Sequence, residues 1–172
     1  MNKKPVASFW QRGYSLIELA IVISIVAMVA AITIPNVINM VKKHAVNAAA
    51  DLLVNEYFLT RTEARIERKP HKIVFAPGGA VFETYQANEA TDTWELERES
   101  EPFKNGVTLF STEFTDDQVL FNIRGHVFDA DVSAMPSAVE ATPLVSTKNI
   151  VLSSQFHQIT LEVRADGGIE EQ

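Results

Sequence analysis

The chain has 172 residues, 47% of them hydrophobic, with a formal charge of −7 and no cysteine. That length suits one modest domain with an appendage, and the missing cysteine excludes disulfide scaffolds, cysteine-based zinc sites and cysteine nucleophiles. The acidic balance argues against a general nucleic-acid binder, which needs clustered Lys and Arg. Residues 1–13 run against that balance. They hold Lys3, Lys4 and Arg12 and no acid, a charge of +3 that leaves −10 for everything after them. A basic tip before an apolar run is what the inner-membrane orientation rule expects of a cytoplasmic end.

The apolar run follows at once. Residues 19–34 read LAIVISIVAMVAAITI, with only Ser24 and Thr33 polar. The 21 residues from Tyr14 to Ile34 span, as a helix, roughly 31 Å, one hydrocarbon core. A buried helix of a soluble protein would show a polar stripe, and this one has none. An ordinary secretory signal would be cut after the apolar region, where Val29-Ala30-Ala31 offers a loose site. Glu18 counts against that reading. An acid near the centre of a membrane helix costs roughly 2.5–3.5 kcal/mol on insertion scales, and a conventional signal has no use for one.

Arg12-Gly13-Tyr14-Ser15-Leu16-Ile17-Glu18, followed by the apolar run, resembles the cleavage motif of type IV prepilins. The resemblance implies that a leader of residues 1–13 is removed after Gly13 by a prepilin peptidase. Tyr14, where the family usually has Phe, then becomes the N-methylated first residue, and Glu18 stands fifth in the mature chain. The chemistry suits the spacing: Gly13 has no side chain to obstruct the peptidase, and the apolar run stays attached. The new ammonium at Tyr14 and the Glu18 carboxylate of a neighbouring subunit would pair in a low-dielectric filament core, where an unpaired charge is expensive. Glu18 is therefore expected to set subunit register, against the plainer role of an acid snorkelling at the membrane edge.

Pro35 closes the apolar run and is expected to kink the helix. Helical spacing then resumes. Ile38, Val41, Ala45, Ala48, Leu52, Leu59 and Ile66, with Asn55 and Thr62 in the weaker steps and Leu53 and Tyr57 widening it, give a stripe that predicts an amphipathic helix to about Arg68, stopped by Pro70. A coiled-coil seam is the alternative use of such a stripe, but Asn55, Thr62 and the alanines make it weak. Ile34-Pro35-Asn36, Ala48-Ala49-Ala50-Asp51-Leu52-Leu53 and Arg61-Thr62-Glu63-Ala64 resemble the corresponding stretch of the FimT/GspH-like group of minor pilins. The chain thus divides into a leader at 1–13, a long helix at 14–69 with its transmembrane half at 14–34, and a β-rich domain at 70–172.

Past Pro70 the period shifts toward two. Strands are predicted at His71–Phe75, Val81–Tyr85, Trp94–Arg98, Val107–Phe110, Val119–Phe121, His126–Phe128, Ile150–Leu152 and Ile159–Arg164, with Gly turns between many of them. The fold class is α+β: a long N-terminal helix packed on an antiparallel sheet domain, with the strands in one sheet or two packed together. Phe121-Asn122-Ile123-Arg124-Gly125 and Arg164-Ala165-Asp166-Gly167-Gly168 resemble the Gly-turn hairpins of the same group. Residues 129–148 lack any period and read as a surface loop, either a partner contact or a variable linker.

No catalytic residue, cofactor or metal is expected. His44, His71, His126 and His157 fit no ligand spacing and read as surface or interface residues, and no nucleophile-elbow, P-loop or dinucleotide motif is present. Ten acids and two bases between Glu83 and Asp117 read as a solvated acidic face; Asp116-Asp117 and Asp129/Asp131 are hard oxygen donors without an EF-hand spacing. The resemblance implies a minor pilin that initiates or tips a type IV pilus. It would partner the prepilin peptidase/methyltransferase, other pilin subunits and an inner-membrane assembly platform, anchored by one span with its domain in the periplasm. A minor pseudopilin of the H type, from a type II secretion system, is the alternative; that subunit often lacks the proline seen here at Pro35. A DNA-uptake receptor is disfavoured by the acidic end Asp166–Gln172, and a membrane-anchored enzyme has no motif behind it. The absence of Cys departs from major pilins, many of which close a C-terminal disulfide loop.

Overall fold

The computed structural model describes residues 15–129, 144, 146–155 and 157–172. A single helix, α1, runs Leu16–Glu67, and the boundary between two compact units falls within it, between Ile38 and Asn39. In the second unit the helix is followed by β1 (His71–Phe75), β2 (Phe82–Asn88), β3 (Thr93–Glu99), β4 (Thr108–Thr112), a 3-10 turn (Thr115–Asp117), β5 (Gln118–Phe121), β6 (Val127–Phe128), β7 (Lys148–Ser154), β8 (His157–Val163) and β9 (Ile169–Glu171). Among the described residues these form two antiparallel sheets, of order β3-β2-β1-β5-β6 and β4-β7-β8-β9. Every predicted strand is present, β1 with the expected ends and the others with shifted ends. β9 was not expected; it forms because the Arg164–Gly168 turn folds Ile169 back beside Val163.

Helix and both sheets share one core. From α1 it takes Ala45, Val46, Ala49, Ala50, Leu53, Tyr57 and Ala64; Ile73, Phe75, Val119 and Phe121 come from the first sheet, and Ile150, Leu152, Leu161 and Val163 from the second. The predicted helix stripe needs correction. Buried positions run 45, 46, 49, 50, 53, 57, 60 and 64, so Ala45, Leu53 and Tyr57 of the predicted stripe are buried, whereas Ile38, Val41, Leu52, Leu59 and Ile66 are exposed. The sequence argument weighted large side chains. Small ones let the helix backbone approach the sheets, and Tyr57 fills the space between with its ring edge-on to Phe121, 5.0 Å between centroids. Strand alternation places Leu120 on the other face of β5, where it packs with Phe128 and Trp94. There the Lys72 ammonium lies 4.9 Å from the Trp94 ring and 5.1 Å from that of Tyr85. Burial holds its pKa below the ordinary lysine value.

Of the loop read at 129–148, residues 130–143 and 145 lie outside the described residues, and so does Asp131. Asp129 is not a spare metal ligand. It accepts from the Thr115 amide at 2.7 Å and pairs with Lys148 at 2.8 Å; Asp117 accepts from the Thr112 hydroxyl. Burial alone would raise the Asp129 pKa, but Lys148 and Thr115 hold it below the usual 3.8. A depressed carboxylate contributes stability that is present above the unfolded pKa and lost as pH falls through the folded one. Asp129→Asn should therefore destabilise by about 1 kcal/mol at pH 7. In urea unfolding the gap between variant and parent should close as the pH falls below about 3.8.

Candidate functional site

The first unit is a helix built to live without water. Ser15 precedes it and accepts from the Ile17 amide through Oγ, and Glu18 lies in the first turn, where the helix dipole favours a carboxylate. Leu16, Ile17, Ile21, Ile25, Met28, Ile32 and the other large apolar residues up to Ile38 are exposed. The polar side chains within it close on their own backbone. Ser24 donates to the Ala20 carbonyl at 2.8 Å, Thr33 to Val29 at 2.9 Å and Asn36 to Ile32 at 3.2 Å. That leaves few polar groups asking for water, the condition for crossing lipid. Glu18 is the one charged side chain between Ser15 and Val41. Among the described residues this is the one helix long and apolar enough to span a membrane. Pro35 sits inside α1 and deprives the Ala31 carbonyl of its amide partner. Gly13 and Tyr14 lie outside the described residues.

In the second unit the helix does a different job. Arg61 donates from Nε to the Gly125 carbonyl at 2.8 Å, and through its terminal nitrogens to Gly167 at 2.6 Å and Asp166 at 3.1 Å. Tyr57 adds a hydroxyl bond to Gly167 at 3.2 Å; burial, the largest influence, pushes its pKa well up, so it stays a donor. One guanidinium thus clasps both glycine turns singled out in the sequence. Gly125 and Gly167 have φ of +74° and +79°, and a Cβ on them would lie 2.6 Å from Arg65 Cδ and 2.8 Å from the Arg61 guanidinium. The Arg61-Thr62-Glu63-Ala64 segment now has a role at each position: the clasp, a hydroxyl bonded back to Phe58, an ion pair with Arg98, and a fully buried small residue.

Beside the clasp lies a cluster that sequence reading missed. Arg98 on β3 pairs with Glu63 at 2.7 Å and Glu56 at 2.9 Å, and these carboxylates, Glu63 first, raise its pKa further. Of the histidines expected at surfaces or interfaces, His44 and His126 are exposed. His71 is instead fully buried, with Nδ1 2.9 Å from the Lys69 carbonyl and Nε2 3.6 Å from a Glu97 oxygen. A pattern signal existed, since His71, Ile73 and Phe75 alternate onto one face of β1. The acids that meet it come from elements far apart in the chain, so spacing gave no warning.

A single long helix whose second part is laid on two antiparallel sheets is a pilin-like fold. Residues 11–34 match the family described as the prokaryotic N-terminal methylation motif. In structure the chain is similar to the type IV minor pilin FimU of Pseudomonas aeruginosa, at 14% identity over 77% of this chain and 92% of that one, with a TM-score of 0.54. It is also similar to the minor pseudopilin EpsH from the type 2 secretion system of Vibrio cholerae, at 14% identity over 76% and 95% of the two chains, with a TM-score of 0.49. No curated protein matches the sequence.

Proposed function

We propose that the protein is a minor pilin, an initiating or tip subunit of a type IV pilus. The observation that carries this reading is the lone Glu18 at the start of an otherwise uncharged, exposed apolar helix, inside the matched methylation motif. In this reading prepilin peptidase removes residues 1–13 after Gly13 and Tyr14 is N-methylated. Residues 14–34 hold the subunit in the inner membrane with the 70–172 domain in the periplasm. An assembly platform then extracts it into a filament of other pilin subunits, where Glu18 meets a neighbour's Tyr14 ammonium. Pro35 supports the pilus over the H-type pseudopilin reading, because that secretion subunit often lacks this proline.

Mass spectrometry of the protein expressed with and without a prepilin peptidase tests the pathway. The expected result is a mature chain beginning at methylated Tyr14, seen only with the peptidase. An intact Met1 start, or a cut near Ala31, would overturn the reading. Recovery in sheared surface pili, rather than with the secretion filament, separates the two assemblies.

A further inference from the structure

The buried His71 ring poses a problem of hydrogen-bond capacity. A carbonyl only accepts, so the 2.9 Å contact with Lys69 fixes the proton on Nδ1. In the neutral ring Nε2 then presents a lone pair. That atom is buried, has no hydrogen-bond partner among the described residues, and faces the Glu97 carboxylate at 3.6 Å. A buried acceptor facing a second acceptor calls for a cation between them. Glu63 is the third member: donor atoms of Glu63, His71 and Glu97 all lie within 4.8 Å of one another.

The backbone is shaped for this meeting. The β2–β3 register pairs Thr84 with Arg98 and Tyr85 with Leu96, leaving Glu97 as the extra residue of a bulge. A regular strand would send residues 97 and 98 to opposite faces; the bulge lets Glu97 reach His71 while Arg98 reaches Glu56 and Glu63. The surrounding charge is unbalanced too. Arg98 alone pairs with three carboxylates, those of Glu56, Glu63 and Glu97.

We propose that Glu63, His71 and Glu97 form a binding site for a divalent transition-metal ion of the zinc class. One imidazole nitrogen and two carboxylates, with a fourth position left to water, is a donor set that zinc accepts and that hard cations such as Mg²⁺ do not favour. Metal bonds of ~2.0–2.2 Å require the two carboxylates to close on Nε2 by rotation, and Arg98, which bonds to both of them, would shift with them. The outer shell is already in place. Lys69 orients the imidazole through Nδ1, and Arg98 holds Glu63 with bonds of 2.7 and 3.0 Å while leaving each oxygen a second lone pair. The ion would join α1, β1 and the edge strand β3.

The test uses the full chain in detergent micelles, stripped with EDTA and titrated with Zn²⁺, Co²⁺ or Mg²⁺. Zn²⁺ is expected to raise the Tm of the parent and Mg²⁺ to leave it unchanged, while Co²⁺ gives a visible ligand-field band that Zn²⁺ displaces. Glu97→Gln, on the edge strand, should bind at least about tenfold more weakly, and His71→Gln should abolish the band. Should His71→Gln fail to fold, nitrogen NMR of the parent replaces it, with a Zn²⁺-dependent shift expected at His71 Nε2. Equal Zn²⁺ binding by parent and Glu97→Gln, no binding at all, or a His71 ring doubly protonated and indifferent to Zn²⁺ would each overturn the proposal, the last by making the cluster a plain ion pair.

Discussion

Arg61→Ala should destabilise the globular unit by about 3 kcal/mol, which lowers Tm by roughly 10 °C. The side chain donates to three backbone carbonyls on two turns. Bonds from a charged donor contribute about 1.5–3 kcal/mol each, and those sharing one guanidinium do not add in full. Arg61→Lys should recover only a part, because an ammonium lacks the planar fork that reaches Gly125 and Gly167 together. A double-mutant cycle sharpens the assignment. Gly167→Ala places a Cβ against the guanidinium, so it should be milder in the Arg61→Ala background than in the parent, leaving only its φ of +79° to be strained. Thermal unfolding of the four proteins measures the coupling, and additive effects would show that Arg61 and the turn are energetically independent.

Glu18→Gln should leave cleavage and folding intact and abolish incorporation into filaments. Glutamine keeps the length and shape of the side chain, replaces one acceptor oxygen by an amide donor and removes the charge. If the carboxylate answers a neighbour's terminal ammonium in an apolar environment, a neutral amide leaves that ammonium buried and unpaired, a loss on the order of 3–5 kcal/mol per subunit. Such a loss repeats at every subunit that must dock. Membrane and sheared-filament fractions, probed for processed protein, give the readout. Processed Glu18→Gln in filaments at the parental level would reduce Glu18 to an acid at the membrane edge. The two variants fail differently: the Arg61 variant by unfolding, the Glu18 variant as a folded, processed subunit that accumulates in the membrane.

The helix and the strands were legible because each rests on local pattern. Residues 19–34 carry almost no polar group, and the short β-branched and aromatic run Ile73-Val74-Phe75 is bounded by Pro70 and the Pro77-Gly78 turn. The orientation of the helix was not legible in the same way. Ala45, Ala49, Ala50 and Ala64 are buried by being small, a reason invisible to an argument that looks for bulk, while Leu52, Leu59 and Ile66 face outward. β9 was hidden for a related reason: Glu170 and Glu171 look like a solvated tail until Ile169 is seen closing the core. The two glycine turns could be found, but nothing in either indicates a shared arginine some 64 and 106 residues away. The Glu63–His71–Glu97 cluster depends on a strand bulge, and a bulge inverts the alternation from which side-chain direction is read.

The clasp has a consequence for how such a surface diversifies. Arg61 touches only carbonyl oxygens, and every residue has one. Within the turns the fixed requirements are Gly125 and Gly167, together with Asn122 and Asp166, whose side chains accept the local amides. Ile123, Arg124 and Ala165 sit at the tips, exposed, and Arg124 joins those bonds only through its backbone amide. The tips can therefore change in charge, size and polarity while the scaffold beneath them is undisturbed. What the turns require is a backbone path, and the chemistry displayed at their tips is set separately from the stability of the fold.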